Sequence, residues 1–216
     1  MYGDIPLSDI LFWAEFWIKV AFTCFLIFAG IVFIKRQRTE DELKSQRYFR
    51  LGIAMFAFMA SLQRIFFLIT DFQVEYSDIY NIFWKLAVGA SMIALIFITL
   101  VVETYFVKTK YVFSGIGVIG TILIIFVDIP LARQLNIPLY LLLGGEIFIL
   151  YLYIAIKSPG ILRKKSLLML FSLLIFSVGI LLDAESVMIP LFGVDLGIVG
   201  TIFMWIGLGS YLKLNY

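Results

Sequence analysis

The chain contains no histidine and only one cysteine, Cys24, among its 216 residues. Without imidazole, catalytic triads that use histidine, zinc sites that need it and haem with a histidine axial ligand are excluded. A single cysteine cannot form a disulfide within the chain. The acidic residues alone form no recognised catalytic or metal-binding spacing. We therefore expect no enzymatic activity, no metal and no cofactor.

Charge is also scarce. Charged residues make up 15% of the chain and hydrophobic residues 62%, with a mean hydropathy of +1.04, whereas soluble domains carry about 25% charged residues. So little charge leaves too few polar groups to cover a globule in water. The start of the chain, Met1 to Ile10, lacks the basic region and the cleavage site of a signal peptide. We expect the first helix to be retained in an integral membrane protein.

Seven apolar runs are present, each long enough to cross a bilayer, for which about 20 residues are needed. They are far longer than the roughly 10-residue strands of a membrane barrel and do not alternate with a period of two. The sequence therefore predicts an all-α fold, a seven-transmembrane-helix bundle forming one domain over residues 1–216. The predicted helices are about Leu11–Ile34, Leu51–Thr70, Ile79–Phe106, Tyr111–Ile129, Pro138–Ile156, Ser166–Ala184 and Leu191–Leu212.

The distribution of basic residues predicts the orientation. Thirteen of the 17 Lys and Arg residues lie in the connections on one side, and the other side holds only Arg133. The basic side is cytoplasmic by the positive-inside rule, so the N-terminus is outside and the C-terminus inside a plasma or cytoplasmic membrane. Because the cations are sorted by membrane side, the net charge of +2 does not indicate nucleic acid. Trp13, Trp17, Trp84 and Tyr80 at the outer boundary and Tyr211 at the inner one are predicted to form aromatic belts.

Several ionisable residues lie inside the predicted spans. Such a residue costs roughly 2.5–3.5 kcal/mol on insertion and is a functional-site hypothesis by default. Counted at about 1.5 Å of rise per residue, all of them fall near the midplane or in the outer half, and the inner half has none before Glu103 at its edge. The predicted ligand-binding residues are Glu15, Lys19, Gln63, Arg64, Lys85, Glu146, Asp183 and Asp195.

Helical spacing indicates which faces point inward. Glu15 and Lys19 are four residues apart and share a face, so they are expected to pair. Four stripes of small or polar residues are suited to helix interfaces. They are Ala57, Ala60, Ser61, Arg64 and Asp71 in helix 2, Asp78, Asn81 and Lys85 in helix 3, Ser114, Gly117 and Thr121 in helix 4, and Ser172, Phe176, Gly179 and Asp183 in helix 6.

Two structural alternatives remain open from the sequence. The charged residues form either one outward-facing polar site or a set of buried ion pairs that holds the helices in register. Separately, Glu15 and Glu146 lie in similar short motifs, and Asp71 and Asp183 end helices 2 and 6. These similarities suggest a 3+1+3 parallel pseudo-repeat, as some transporter folds have.

The predicted topology resembles that of opsins and G-protein-coupled receptors over the whole chain. The motifs differ, because helix 7 reads IVGTIF over 198–203 where opsins carry the retinal lysine, and Glu103-Thr104-Tyr105 stands where receptors carry an acidic-Arg-Tyr triplet. The chain is also similar to the seven-helix sensory regions that precede prokaryotic kinase domains, although no output domain follows.

Three function classes follow from these observations. The first is a receptor-like or sensory protein that binds a small polar or zwitterionic ligand in the outward-facing site and signals to a cytoplasmic partner at the basic inner loops. The second is a small-solute transporter that uses the same site. The third and weakest is a lipid-modifying membrane enzyme. In each case membrane lipids are the surrounding partner, and no nucleic-acid partner is expected.

Overall fold

A computed structural model describes residues 7–36, 44–72, 78–105, 109–183 and 196–215 of the chain. Every regular element within these ranges is an α-helix, which confirms the all-α class and agrees with the predicted number of seven helices. The helices are α1 (Leu7–Arg36), α2 (Lys44–Phe72), α3 (Asp78–Tyr105), α4 (Val112–Phe126), α5 (Ile129–Lys157), α6 (Gly160–Leu182) and α7 (Leu196–Asn215).

Five of these helices are long and apolar enough to cross a membrane, namely α1, α2, α3, α5 and α7. The helix α4 is apolar but has only 15 residues. The helix α6 has 23 residues, with Arg163, Lys164 and Lys165 in its first turns. Large apolar side chains such as Phe28, Leu141 and Ile149 are about two-thirds exposed, as expected for lipid-facing residues. These features are those of a multi-pass membrane protein, while the N-out orientation stays a prediction.

The largest departure from the predicted boundaries is in α5, which begins at Ile129 rather than Pro138. Pro130 lies in the first turn, where a missing N–H costs nothing because such groups have no partner within a helix. Pro138 lies inside the helix and leaves the carbonyl of Gln134 without its usual donor, an arrangement that membrane helices tolerate. Arg133, counted as an outer connection, therefore lies in α5.

The basic connections are also shorter than predicted. The helix α2 begins at Lys44 and α6 at Gly160, so several cations assigned to loops belong to the ends of helices. Long helices that extend beyond the apolar region explain this difference, because sequence hydropathy marks the lipid core and not the end of the helix. The predicted start of helix 7 at Leu191 lies outside the described residues.

The chain forms two compact units. The terminal unit comprises Met1–Phe22 and Tyr151–Tyr216, and the central unit comprises Thr23–Leu150. In the terminal unit α6 packs antiparallel against α7 through glycines. A Cβ on Gly179 would lie 2.6 Å from the backbone nitrogen of Met204, and one on Gly200 would lie 2.8 Å from the carbonyl oxygen of Gly179. The predicted stripe on helix 6 is thus part of a close helix–helix interface.

In the central unit α3 packs against both α2 and α4. The small face of α4 is buried as predicted, with Gly117 against Leu143 and Gly120 against Leu139. The core includes Tyr80 and Trp84, so the assignment of these two residues to an aromatic belt is wrong. They belong to a buried cluster of α3, α4 and α5 that also includes Met92, Ile124, Ala132 and Leu143. Trp13 and Trp17 are exposed as predicted, whereas Tyr211 is buried.

Candidate functional site

The predicted site residues of the terminal unit form a compact ionic cluster. The Lys19 Nζ lies 2.7 Å from Glu15 Oε1 and 3.4 Å from Asp183 Oδ1. The Lys19 side chain is 7% exposed and that of Asp183 9%. The predicted pair between Glu15 and Lys19 is confirmed, and Asp183 at the end of α6 joins it. One buried cation is therefore bound between two carboxylates.

In the central unit a polar chain links three helices. Arg64 on α2 is buried and interacts electrostatically with Tyr140 on α5. The Tyr140 hydroxyl hydrogen-bonds Ser91 Oγ on α3, and Ser91 Oγ also contacts the carbonyl oxygen of Val88 at 2.7 Å. The Tyr140 hydroxyl is thus held by α3, and Arg64 is its electrostatic neighbour.

A second polar arrangement of the central unit surrounds Glu103 at the C-terminal end of α3. Its Oε1 accepts hydrogen bonds from the Thr109 hydroxyl at 2.5 Å and the Phe113 backbone N–H at 2.9 Å. Its Oε2 accepts from the backbone N–H of Ser114 at 2.9 Å and from the Ser114 hydroxyl. A carboxylate at a helix N-terminus satisfies donors that have no partner within the helix. Glu103 on α3 therefore satisfies the first free amides of α4.

The turn that brings α4 to Glu103 is strained. Lys110 and Tyr111 have φ values of 56° and 64°, a left-handed conformation that costs about 1–3 kcal/mol for each non-glycine residue. Such residues persist only where surrounding contacts fix them. The four hydrogen bonds to Glu103 provide those contacts, so this carboxylate holds both the turn and the start of α4.

Glu146 on α5 differs from every acid described so far. Its side chain is buried at 7% exposure, and neither carboxylate oxygen has a hydrogen-bond partner among the described residues. It interacts electrostatically with Glu103, whose negative charge is already engaged by four donors. A buried carboxylate without a partner is costly, because burial removes its hydration without replacing it.

Glu146 lies on the Glu103 side of the middle of its helix. Because α5 begins at Ile129, its middle lies at Leu143 and Glu146 lies about 5 Å further toward the C-terminal end. That end of α5 is the one nearest Glu103, since α3 and α5 both pack antiparallel to α4. The predicted span begins nine residues after the start of α5, and the depth of Glu146 in the membrane stays a prediction.

Lys85 has a local structural role. Its Nζ donates to the carbonyl oxygens of Ile125 at 3.0 Å and Val127 at 2.5 Å, at the C-terminal end of α4. A cation at that position offsets the partial negative charge of the helix end. Together, Glu103 and Lys85 from α3 stabilise both ends of the short helix α4.

The eight predicted residues therefore separate by unit. Glu15, Lys19 and Asp183 lie in the terminal unit, and Gln63, Arg64, Lys85 and Glu146 lie in the central unit. Gln63 is half-buried. Asp195 lies outside the described residues. The terminal unit brings its three members into contact, whereas in the central unit Lys85 binds α4 and Glu146 interacts with Glu103.

The sequence did not identify four residues as part of the site: Ser91, Thr99, Glu103 and Tyr140. Glu103 and Thr99 are one turn apart on α3, and this spacing alone predicts that they share a polar face. Thr99 is fully buried, and its Oγ1 has no hydrogen-bond partner among the described residues. The sequence does not indicate that Ser91 and Tyr140 interact, because single hydroxyl residues are common in membrane helices. Their hydrogen bond is seen only in the structure.

No family model, no curated protein and no solved structure matches this chain. The similarity to opsins and to sensory regions therefore rests on predicted topology alone.

Proposed function

We propose that this chain is a receptor-like or sensory membrane protein that binds a small polar or zwitterionic ligand in the central unit. The cationic group of the ligand binds Glu146, and its anionic group binds near Arg64. The observation that carries the proposal is the buried carboxylate of Glu146, whose two oxygens have no hydrogen-bond partner among the described residues. A cationic ligand group would supply both the missing charge and the missing donors.

The surroundings of Arg64 support the anionic half of the site. Arg64 is 7% exposed, and a guanidinium offers five donors in a planar fork that matches carboxylate or phosphate. Tyr140, its electrostatic neighbour, is held by Ser91 and adds a hydroxyl to the same region. Lys85 is not included, because its ammonium group binds the end of α4.

Signalling would require a partner at the predicted cytoplasmic side. The end of α5 and the start of α6 carry four exposed cations suited to an acidic partner surface. They are Lys157, Arg163, Lys164 and Lys165.

The alternative is a small-solute transporter that uses the same residues. One observation favours it: α2 packs against α3 in the central unit, and α6 packs against α7 in the terminal unit. These are the helix pairs that a 3+1+3 repeat would relate, and parallel repeats are a feature of some transporters.

The binding proposal is tested by thermal unfolding of the purified protein in detergent, with a panel of amino acids, betaines and phosphorylated amines as probes. At least one probe should raise the unfolding temperature of the wild type. Glu146→Leu and Arg64→Leu should each abolish that rise without preventing membrane insertion. The exposed residues Asp128 and Arg133 of the same unit provide matched controls, Asp128→Asn and Arg133→Gln. A rise that survives in both Leu variants contradicts the site.

A stabilising probe then separates the two functions. Counterflow of that labelled probe into proteoliposomes would establish transport. Saturable binding with no flux would favour the receptor.

A further inference from the structure

Three buried oxygen atoms at one end of the central unit have no hydrogen-bond partner among the described residues. They are the two carboxylate oxygens of Glu146 and the hydroxyl oxygen of Thr99. Gly117 on α4 lies against both Ile96 of α3 and Leu143 of α5. Thr99 and Glu146 follow these two residues by three positions each, toward the Glu103 end of the unit. The same end of the central unit therefore holds a carboxylate and a hydroxyl that both lack a hydrogen-bond partner among the described residues.

The neighbouring charged groups do not neutralise Glu146. Glu103 on α3 is acidic, and its oxygens are occupied by Thr109, Phe113 and Ser114. The helix α4 contains no ionisable residue. Lys85 lies near the opposite end of α3, bound to carbonyl oxygens.

Two cations on other helices lie toward this end of the unit, since Gly52 on α2 packs against Val101 on α3. They are Arg50, which donates to the carbonyl oxygen of Arg36, and Arg36 itself. Arg64 lies further along α2, and its electrostatic neighbour on α5 is Tyr140. None of these cations is a hydrogen-bond partner of Glu146. Tyr140 precedes Glu146 by six residues, about 9 Å along the helix. Glu146 therefore needs one further positive charge.

We propose that, in the absence of an organic ligand, Glu146 and Thr99 bind one small monovalent cation, Na⁺ or H⁺. Carboxylate and hydroxyl oxygens are ligands that a hard cation prefers, and one charge balances one carboxylate. The inference rests on the proposed role of Glu146 as the residue that receives positive charge. It implies that the cationic group of a larger ligand displaces this ion.

The two cations have different requirements. A sodium ion needs several oxygen ligands, so the Thr99 hydroxyl contributes to its binding. A proton needs only the carboxylate. Thr99→Val removes the hydroxyl while keeping the size and β-branching of the side chain, and therefore distinguishes the two.

The experiment measures the unfolding temperature of the full chain in detergent, in NaCl against choline chloride at equal ionic strength, and at several pH values. At a concentration ten times the dissociation constant, the cation should raise the midpoint by about 3–6 °C. A sodium-dependent rise that is lost in Thr99→Val assigns Na⁺. A rise on acidification without sodium dependence, retained in Thr99→Val, assigns H⁺.

Glu146→Gln should lose the response in either case, and Asp128→Asn, which removes an exposed carboxyl, should keep it. The inference is overturned if wild type responds to neither ion, or if Glu146→Gln and Asp128→Asn respond alike. Should Glu146→Gln not fold, the wild-type salt comparison and Thr99→Val still decide the matter. A cation response without any response to zwitterionic probes would reject the proposed function and leave the cation site standing.

Discussion

The two units treat buried acids in opposite ways. In the terminal unit Lys19 lies between Glu15 and Asp183 at ion-pair distances. In the central unit Glu103 is satisfied by four hydrogen bonds, and Glu146 interacts with that acid while its own oxygens have no hydrogen-bond partner among the described residues. In the first arrangement each acid has a cation at ion-pair distance, which is suited to holding helices together. The second lacks a positive charge, which is why the binding proposals concern Glu146.

The largest expected effect is the removal of the cation of the terminal unit. Lys19→Met leaves two carboxylates without their shared partner, and breaking a buried pair in this way costs about 3–5 kcal/mol. Unfolding by titration with a denaturing detergent measures the loss. The exposed Lys164 gives the control, since Lys164→Met should change stability by no more than about 0.5 kcal/mol. Equal effects of the two substitutions would show that the cluster contributes nothing.

The second-largest effect is expected at Glu103, the acid of the central unit whose oxygens are hydrogen-bonded. Glu103→Gln replaces one acceptor oxygen with a donor, so Phe113 or Ser114 loses its hydrogen bond. We expect a loss of about 2–3 kcal/mol, because hydrogen bonds to charged groups are the stronger ones. Hydrogen exchange at the first amides of α4 should accelerate, while Asp128→Asn leaves it unchanged. Unchanged protection in Glu103→Gln would contradict the capping role.

Glycine-to-alanine substitutions at the helix contacts of the two units should have a smaller effect on stability. A Cβ on Gly179 would lie 2.6 Å from backbone, whereas one on Gly120 would meet the side-chain end of Leu139. Backbone cannot move aside as a side chain can, so Gly179→Ala should cost about 1–3 kcal/mol and Gly120→Ala less than 1. Gly144→Ala, with no atom within 4 Å of its Cβ, is the control. Thermal unfolding measures all three, and a reversed order would refute the comparison.

The smallest effect is expected at Glu146. Removing a buried charge that no protein group compensates should be neutral or stabilising, with a change below about 1 kcal/mol in a buffer without sodium. Glu146→Gln should thus contrast with Lys19→Met in the same denaturation assay. A loss comparable to that of Lys19→Met would show that Glu146 has a partner in the folded protein, and would remove the basis of the binding proposals.

Part of this site could be read from the sequence and part could not. The pair of Glu15 with Lys19 followed from a spacing of four, and the buried small face of α4 followed from Ser114, Gly117 and Thr121. Both are local properties of one helix. The role of Lys85 did not follow, because its acceptors are carbonyls 40 and 42 residues away. The burial of Trp84 was missed for a similar reason, since an aromatic residue near a helix end is equally suited to a lipid boundary or a core.

The sequence by itself determined the helical class, the number of helices and the presence of charged residues inside apolar segments. Apolar run length and helical spacing are properties of consecutive residues, and in lipid the backbone must satisfy its hydrogen bonds within each helix. The tertiary structure alone decided which of the six described charged residues of the predicted site are neutralised. Lys19 is paired and Lys85 caps α4, while Glu146 has no hydrogen-bond partner among the described residues. Neutralisation depends on which helices pack together, and packing is decided by shape between segments distant in the chain.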